Sequence, residues 1–171
     1  HSFNILKEGE LTAKDEALVI HIEDHLNTKK PLVIFSAMVK EQERIYELCT
    51  KMGLRTGLIN HTVSADKRGQ IDEDFQAGRL DCIVGSPATA AVGFNWGHVD
   101  HVIFVSIDYQ DDNFVQAYRR AIRDARKTHL LITVFEYIDT IERRVFRIVD
   151  AKSREKAKVD STYEVLTLSS N

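Results

Sequence analysis

The sequence contains few residues that interrupt secondary structure and few that could form cross-links. Its 171 residues include 8 Gly and 2 Pro, about half the usual share, which excludes collagen-like and low-complexity proteins. The only cysteines are Cys49 and Cys82, both in apolar segments, so we expect two reduced core thiols and an intracellular protein. With 43% apolar residues, this length predicts one globular domain.

Long apolar runs and an excess of basic residues are also lacking. The longest stretch without a formal charge, residues 82–99, contains several Gly and one Pro, so it cannot form a membrane-spanning helix. The chain carries 23 basic and 26 acidic residues, a net charge of −3, so a nucleic acid would have to be bound by a local patch. We expect a cytoplasmic location and no membrane partner.

Short apolar runs alternate with amphipathic segments along the chain. The patterns predict strands at 32–35, 55–60, 80–84, 102–105 and 130–135, and helices at 15–27, 41–52, 64–78, from 112 or 113, and 140–158. Such alternation requires crossover connections, so the predicted fold is α/β: a three-layer parallel sheet flanked by helices.

The chain ends suggest smaller flanking segments. The first residues lack an initiator Met and the pattern of a signal peptide, which indicates a fragment of a longer chain. We expect an extension or linker at 1–13, the main domain at 14–158, and a C-terminal tail at 159–171 that is either an edge strand or a frayed terminus.

The loops after the predicted strands are where ligands gather in such sheets. Residues 85–97 follow a strand and are almost free of bulky or charged side chains, which permits close approach of another large molecule. A tightly packed turn would explain this segment equally well.

A polar helical face follows the strand at 102–105. Gln116, Arg120 and Arg123 are spaced i, i+4, i+7 and therefore share one face of a helix. Arginines in this arrangement can bind phosphate oxygens and stabilise charge on a transferred phosphoryl group. The simpler interpretation is a solvated basic face paired with neighbouring aspartates.

Taken together, five ordered segments resemble the second RecA-like lobe of superfamily two helicases and translocases, in particular the Swi/Snf-like branch. The resemblance covers about residues 14–150. Residues 31–36 are similar to motif IV, 66–75 to the family's helix with Arg and Phe, 86–96 to motif V, 116–123 to motif VI, and 140–142 to the segment beyond it. Arg119 in place of a motif Gly, and Ala90-Ala91 in place of Gly-Gly, point to a divergent bacterial or phage branch.

The resemblance implies a role for each matching residue. Arg123 would be the arginine finger, with Arg120 beside it in the catalytic site. Phosphate and nucleotide contacts would come from Gln116, Gly93 and Asn95. The phosphates of one nucleic-acid strand would be bound by Ser36, His61, Thr62 and Ser86.

The same resemblance implies the cofactor and the partners. The chain has no G-x-x-x-x-G-K-[ST] segment and no Walker-B carboxylates after a strand. ATP with Mg²⁺ would therefore be bound mainly by an N-terminal RecA-like lobe of the same parent, and this chain alone would be inactive. The nucleic acid would be DNA, with the Swi/Snf-like character favouring double-stranded DNA.

Other interpretations remain open at this point. A nucleotide-independent module that binds nucleic acid or protein on a RecA-like fold is the main alternative, and a small-molecule enzyme on a flavodoxin-like sheet ranks last. His21 and His25, at i, i+4, have the spacing of a zinc pair but no evident third ligand. Trp96 and Tyr118 could provide surfaces on which bases stack. Aromatic residues beside apolar strands more often belong to the hydrophobic core.

Overall fold

The computed structural model describes residues 11–90, 96–106, 130–137 and 161–168, and its six strands form a single parallel sheet. The strand order is β2-β3-β1-β4-β5-β6, and every neighbouring pair is parallel. The strands are β1 (Leu32–Phe35), β2 (Thr56–Ile59), β3 (Cys82–Gly85), β4 (His101–Phe104), β5 (Leu130–Tyr137) and β6 (Ser161–Leu168). The predicted parallel α/β sheet flanked by helices is confirmed.

Four helices lie in the described part of the chain. They are α1 (Ala13–Thr28), α2 (Val39–Lys51), α3 (Ala65–Gln76) and the short α4 (Pro87–Ala90). The first three match predicted helices to within about two residues, whereas α4 was not predicted. The helices predicted from 112 or 113 and at 140–158 lie outside the described residues.

The burial of each strand follows from its place in the sheet. All four residues of β1, β3 and β4 are buried, because these strands have neighbours on both sides and helices over the sheet. The strand β2 lies at one edge and alternates between half-buried and buried residues. Continuous apolar runs therefore indicate the central strands, as the sequence predicts.

Side-chain caps explain where α1 and α3 begin. The Thr12 hydroxyl accepts the Asp15 N–H at 3.2 Å, and the Asp15 carboxylate accepts the Thr12 N–H at 2.8 Å, which is a capping box. This box starts α1 two residues before the predicted position. At α3 the Ser64 hydroxyl accepts the Lys67 N–H at 3.3 Å, so Ser64 caps the helix that the sequence predicts from residue 64.

The main core lies between α1, α2 and the sheet. Leu18 and Ile22 of α1 and Ile45 of α2 pack with the central strands in one cluster. Cys49 and Cys82 belong to the same cluster, and both are buried and free, as predicted. Burial raises the pKa of the Cys82 thiol well above its ordinary value, and the neighbouring Cys49 raises it further, so the thiol stays protonated.

The C-terminal segment is an edge strand. Residues Ser161–Leu168 form β6 and pair in parallel with β5 from Leu130↔Ser161 to Tyr137↔Leu168. Of the two alternatives for the tail, the structure therefore shows the strand. No helix among the described residues is long and apolar enough to cross a membrane.

Two glycines give a matched test of packing at the sheet. A Cβ on Gly85, in β3, would lie 2.5 Å from the Ile59 carbonyl oxygen of β2, whereas a Cβ on Gly69, in α3, would meet nothing within 4 Å. We expect Gly85→Ala to lower the free energy of unfolding by about 1–3 kcal/mol, because backbone must move. Gly69→Ala should raise it by about 1 kcal/mol, because Ala favours a helix.

Urea denaturation of both variants beside the parent sequence measures this difference. Equal midpoints for Gly85→Ala and the parent would contradict the close β2–β3 packing.

Candidate functional site

The candidate site is the edge of the sheet where the parallel strands end. Ser36 follows β1, His61 and Thr62 follow β2, and Ser86 follows β3. Because Phe35 and Ile59 both pair in register with Gly85, the residues after these three strands emerge side by side. The structure thus brings all four predicted nucleic-acid residues to one edge.

Ser36 is fully buried, and its hydroxyl faces other protein groups. It donates to the Glu41 carboxylate of α2, and its oxygen lies 3.1 Å from the Ser106 hydroxyl. The Ser36 N–H donates to the Gly85 carbonyl at 3.0 Å. A phosphate contact by this hydroxyl, which stays a prediction, would require Glu41 to release it.

Ser106 completes this cluster from the end of β4. Its hydroxyl donates to the Glu41 carboxylate at 2.7 Å, and its oxygen accepts the Ala37 N–H at 2.9 Å. One carboxylate oxygen therefore holds two hydroxyls, one after β1 and one after β4. We call Ser36, Glu41 and Ser106 the serine–glutamate cluster.

A second polar network holds the loop after β2. Asn60 is fully buried; its amide donates to the Gln42 side-chain oxygen at 3.0 Å, and the Gln42 amide donates to the Ser36 carbonyl at 2.7 Å. The Asn60 side-chain oxygen accepts the Thr62 N–H at 3.0 Å and the Thr62 hydroxyl at 2.5 Å. His61 and Thr62 are exposed at the tip, so Asn60 and Gln42 fix the backbone that presents them.

Sequence reasoning missed Gln42, Asn60, Glu41 and Ser106. The signal for Gln42 is its position at i−3 and i−7 from Ile45 and Cys49, which places an amide in the buried stripe of α2. A buried amide needs partners, and the position of Asn60 directly after an apolar strand would have made it a reasonable partner to consider. No comparable sequence pattern connects Glu41 with Ser106, which lies 65 positions away.

The remaining predicted site residues divide between described and undescribed parts of the chain. Ser86 is half-buried just before α4, and its N–H donates to the Ile59 carbonyl at 3.3 Å. The nucleotide and catalytic residues all lie outside the described residues, and their roles stay predictions: Gly93, Asn95, Gln116, Arg120 and Arg123.

Trp96 belongs to the core. It is fully buried, its ring contacts Phe75 edge-to-face at 6.1 Å between centroids, and its indole N–H donates to Asp72 at 2.7 Å. The core interpretation is confirmed for Trp96, and stacking on a base is excluded in this conformation. Tyr118 lies outside the described residues.

The histidines of α1 join a buried polar chain rather than a zinc site. His25 Nδ1 lies 2.9 Å from the Lys30 carbonyl, His25 Nε2 lies 2.8 Å from His101 Nδ1, and His101 Nε2 lies 2.8 Å from the Thr133 hydroxyl. His21 contacts the His101 ring edge-to-face at 5.4 Å. Across the described ranges, no group of three or more His, Cys, Asp or Glu could hold a metal ion.

The tautomers of the two hydrogen-bonded histidines follow from the groups at the two ends of this series of hydrogen bonds. The Lys30 carbonyl can only accept, so His25 Nδ1 carries the proton and its Nε2 accepts from His101 Nδ1 when both rings are neutral. The Thr133 hydroxyl then donates to His101 Nε2. Burial, with smaller contributions from His25 and His21, lowers the pKa of His101 to about 3, so His101 stays neutral at physiological pH.

A cleft of about 500 Å³ opens at the opposite edge, where β1, β2 and β3 begin. Asp81 in its wall pairs with Arg55 at 2.8 Å. The hydrogen bond from the Arg55 guanidinium holds the pKa of the Asp81 carboxyl below its ordinary value. An arginine that keeps this carboxylate ionised makes Asp81 a poor proton donor.

Comparison with known proteins identifies the family of the chain. Residues 13–125 match the model of the helicase conserved C-terminal domain. This chain belongs to that family. The C-terminal part of the Fun30 ATPase domain, a crystal structure, superimposes with a TM-score of 0.74 at 16% identity, covering 84% of this chain and 48% of that one. That likeness confirms the fold.

Two curated relatives are much longer than this chain. "Protein CHROMATIN REMODELING 5" of Arabidopsis thaliana is 27% identical over 143 residues, 82% of this chain and 8% of that protein. "Probable ATP-dependent RNA helicase ddx41" of Dictyostelium discoideum is 24% identical over 126 residues, 74% of this chain and 19% of that protein. The chain thus spans less than a fifth of either relative. The Swi/Snf-like branch and the bacterial or phage origin stay predictions.

The neutral His101 gives a pH dependence of stability with a definite sign. Because its pKa is about 3 in the folded chain and ordinarily about 6.5, the unfolded chain binds more protons between these values. Stability should therefore fall as the pH falls from 6.5 toward 3, by roughly 1 kcal/mol per pH unit from this group.

Urea midpoints measured across this pH range check that expectation. His101→Gln should reduce the pH dependence of the free energy of unfolding by roughly 1 kcal/mol per pH unit. His61→Gln, at an exposed position, should leave that pH dependence unchanged. Equal slopes for His101→Gln and the parent would refute the assignment.

Proposed function

We propose that this chain is the C-terminal motor lobe of an ATP-dependent DNA helicase or translocase. The observation that carries the proposal is the family match over residues 13–125. It is supported by the sheet topology, which brings the four predicted nucleic-acid residues to one edge. An N-terminal RecA-like lobe is the proposed partner that completes the motor.

In this proposal ATP and Mg²⁺ are bound mainly by that N-terminal lobe. The described residues offer no cluster of metal-ligating side chains, and the sequence offers no Walker A segment. This lobe would contribute Arg123 as the finger on the γ-phosphate and Arg120 beside it. Gln116, Gly93 and Asn95 would contact the nucleotide between the two lobes, and this lobe by itself would not hydrolyse ATP.

The proposed nucleic-acid track runs along the carboxyl edge. The exposed loop with His61 and Thr62 is held in place by the buried Asn60, and Ser86 lies one strand away. Hydroxyls and backbone N–H groups at such positions contact phosphates without reading bases. Because one relative is named for chromatin remodelling and the other for RNA, the choice of DNA depends on the Swi/Snf-like resemblance.

The ATPase activity of the two-lobe protein tests this function. We expect duplex DNA to stimulate hydrolysis more than single-stranded DNA or RNA of the same sequence. Arg123→Ala should lower the stimulated turnover by about 10³-fold or more, because the guanidinium stabilises charge on the transferred phosphoryl group.

Arg79→Ala is the matched control, since Arg79 is an exposed arginine that pairs with Asp74 at 2.8 Å. It should leave the turnover unchanged. Retention of more than about a tenth of the turnover in Arg123→Ala would remove that residue from the finger role. Absence of any nucleic-acid stimulation in the parent would favour the nucleotide-independent module instead.

A further inference from the structure

The serine–glutamate cluster lies in the crevice where an open parallel sheet binds its ligands. The connection after β1 leads to β2 on one side, and the connection after β4 leads to β5 on the other. In open parallel sheets ligands usually bind in the crevice outside the carboxyl ends of the two strands at such a switch point, which here are β1 and β4. Ser36 and Ser106 are the residues that emerge at these two strand ends.

A carboxylate occupies this crevice in the ligand-free chain. Both serine hydroxyls donate to the same Glu41 oxygen, Ser106 at 2.7 Å. The serine oxygens in turn accept backbone N–H groups, Met38 N–H to Ser36 at 3.3 Å and Ala37 N–H to Ser106 at 2.9 Å. The group bound there is an anionic oxygen acceptor, the same chemical type as a phosphate oxygen.

The hydroxyl protons cannot serve two anions at once. Each serine has one proton to donate, and in this structure both are directed to Glu41. A phosphate oxygen that takes either proton must displace the carboxylate, and it also experiences the repulsion of that negative charge. Glu41 is only partly buried, at the first turn of α2, so its side chain can turn toward solvent without unfolding the helix.

We propose that Glu41 is an internal competitor that holds the place of a nucleic-acid phosphate in the crevice between β1 and β4. This inference rests on the proposed function, because the displaced group is replaced by a backbone phosphate of the bound strand. Nucleic-acid binding then includes the exchange of one anion for another. The free-energy cost of displacing Glu41 lowers the affinity for the nucleic acid. It also disfavours the binding of weakly interacting anions when no nucleic acid is bound.

A purely structural role of Glu41 predicts a different effect on nucleic-acid binding. Glu41 is the third residue of α2, where a carboxylate is favourable beside the helix N-terminus. If helix stabilisation were its whole function, loss of the charge would leave binding unchanged or weaken it. If Glu41 competes with phosphate, loss of the charge should strengthen binding.

Binding of a short fluorescein-labelled DNA duplex to the two-lobe protein, followed by anisotropy at low salt, separates these roles. Glu41→Gln should bind about three- to tenfold more tightly than the parent, from removal of one nearby like charge. Glu43→Gln is the matched control: it removes the same charge from an exposed position on the same helix, and it should match the parent.

A double-mutant comparison identifies the hydroxyl as the shared group. In a Ser36→Ala background, the fold-increase in DNA affinity caused by Glu41→Gln should be at most half of that in the parent, because one of the two hydroxyl protons that Glu41 accepts is already absent. Glu41→Asp, with the carboxylate one methylene further back, is a second variant that keeps the charge, and it should also bind more tightly than the parent. Urea midpoints confirm that each variant is folded.

The outcomes are distinct. Tighter binding by Glu41→Gln than by Glu43→Gln supports the competitor, even where the parent binds too weakly to measure. Equal or weaker binding by Glu41→Gln, in a parent that binds DNA, overturns the competitor and leaves the proposed function intact. Failure of both the parent and Glu41→Gln to bind any of duplex DNA, single-stranded DNA and RNA overturns both.

Discussion

Parallel pairing of β1 with both β3 and β4 is the constraint on which the rest of the structure depends. The registers Phe35↔Gly85 and Phe35↔Phe104 align the ends of three strands at one level. Since all three strands point the same way, their following residues are forced together although they are up to 70 positions apart in sequence. A polar edge is thereby created next to the apolar central strands β1 and β3.

The fold was predictable because the signals that specify it are local. Runs such as Leu32–Phe35 are short, continuous and apolar, and this pattern is typical of strands covered on both faces. The stripe of Leu18 and Ile22 likewise specifies the buried face of α1. Strand order was not predicted, because residues of β3 carry no sequence pattern that selects β1 and β2 as their neighbours.

The site was predictable only in part, and for a related reason. The positions of Ser36, Thr62 and Ser86 at strand ends follow from the strand pattern, so their shared edge could be expected. The contacts of those side chains depend on groups from other elements, such as Gln42 for the Asn60 amide. Sequence periodicity places a residue on a face, but it does not identify the partner across 18 or 65 positions.

Net charge and the serine–glutamate cluster are linked by one electrostatic argument. With a net charge of −3, the chain as a whole supplies no long-range attraction for a polyanion, so in the proposed function local contacts, such as hydrogen bonds at the carboxyl edge, would supply the binding energy. A hydroxyl offers one proton, and in this structure Glu41 accepts the protons of both Ser36 and Ser106. Where few donors bind a phosphate, one competing carboxylate changes a large share of the available interaction.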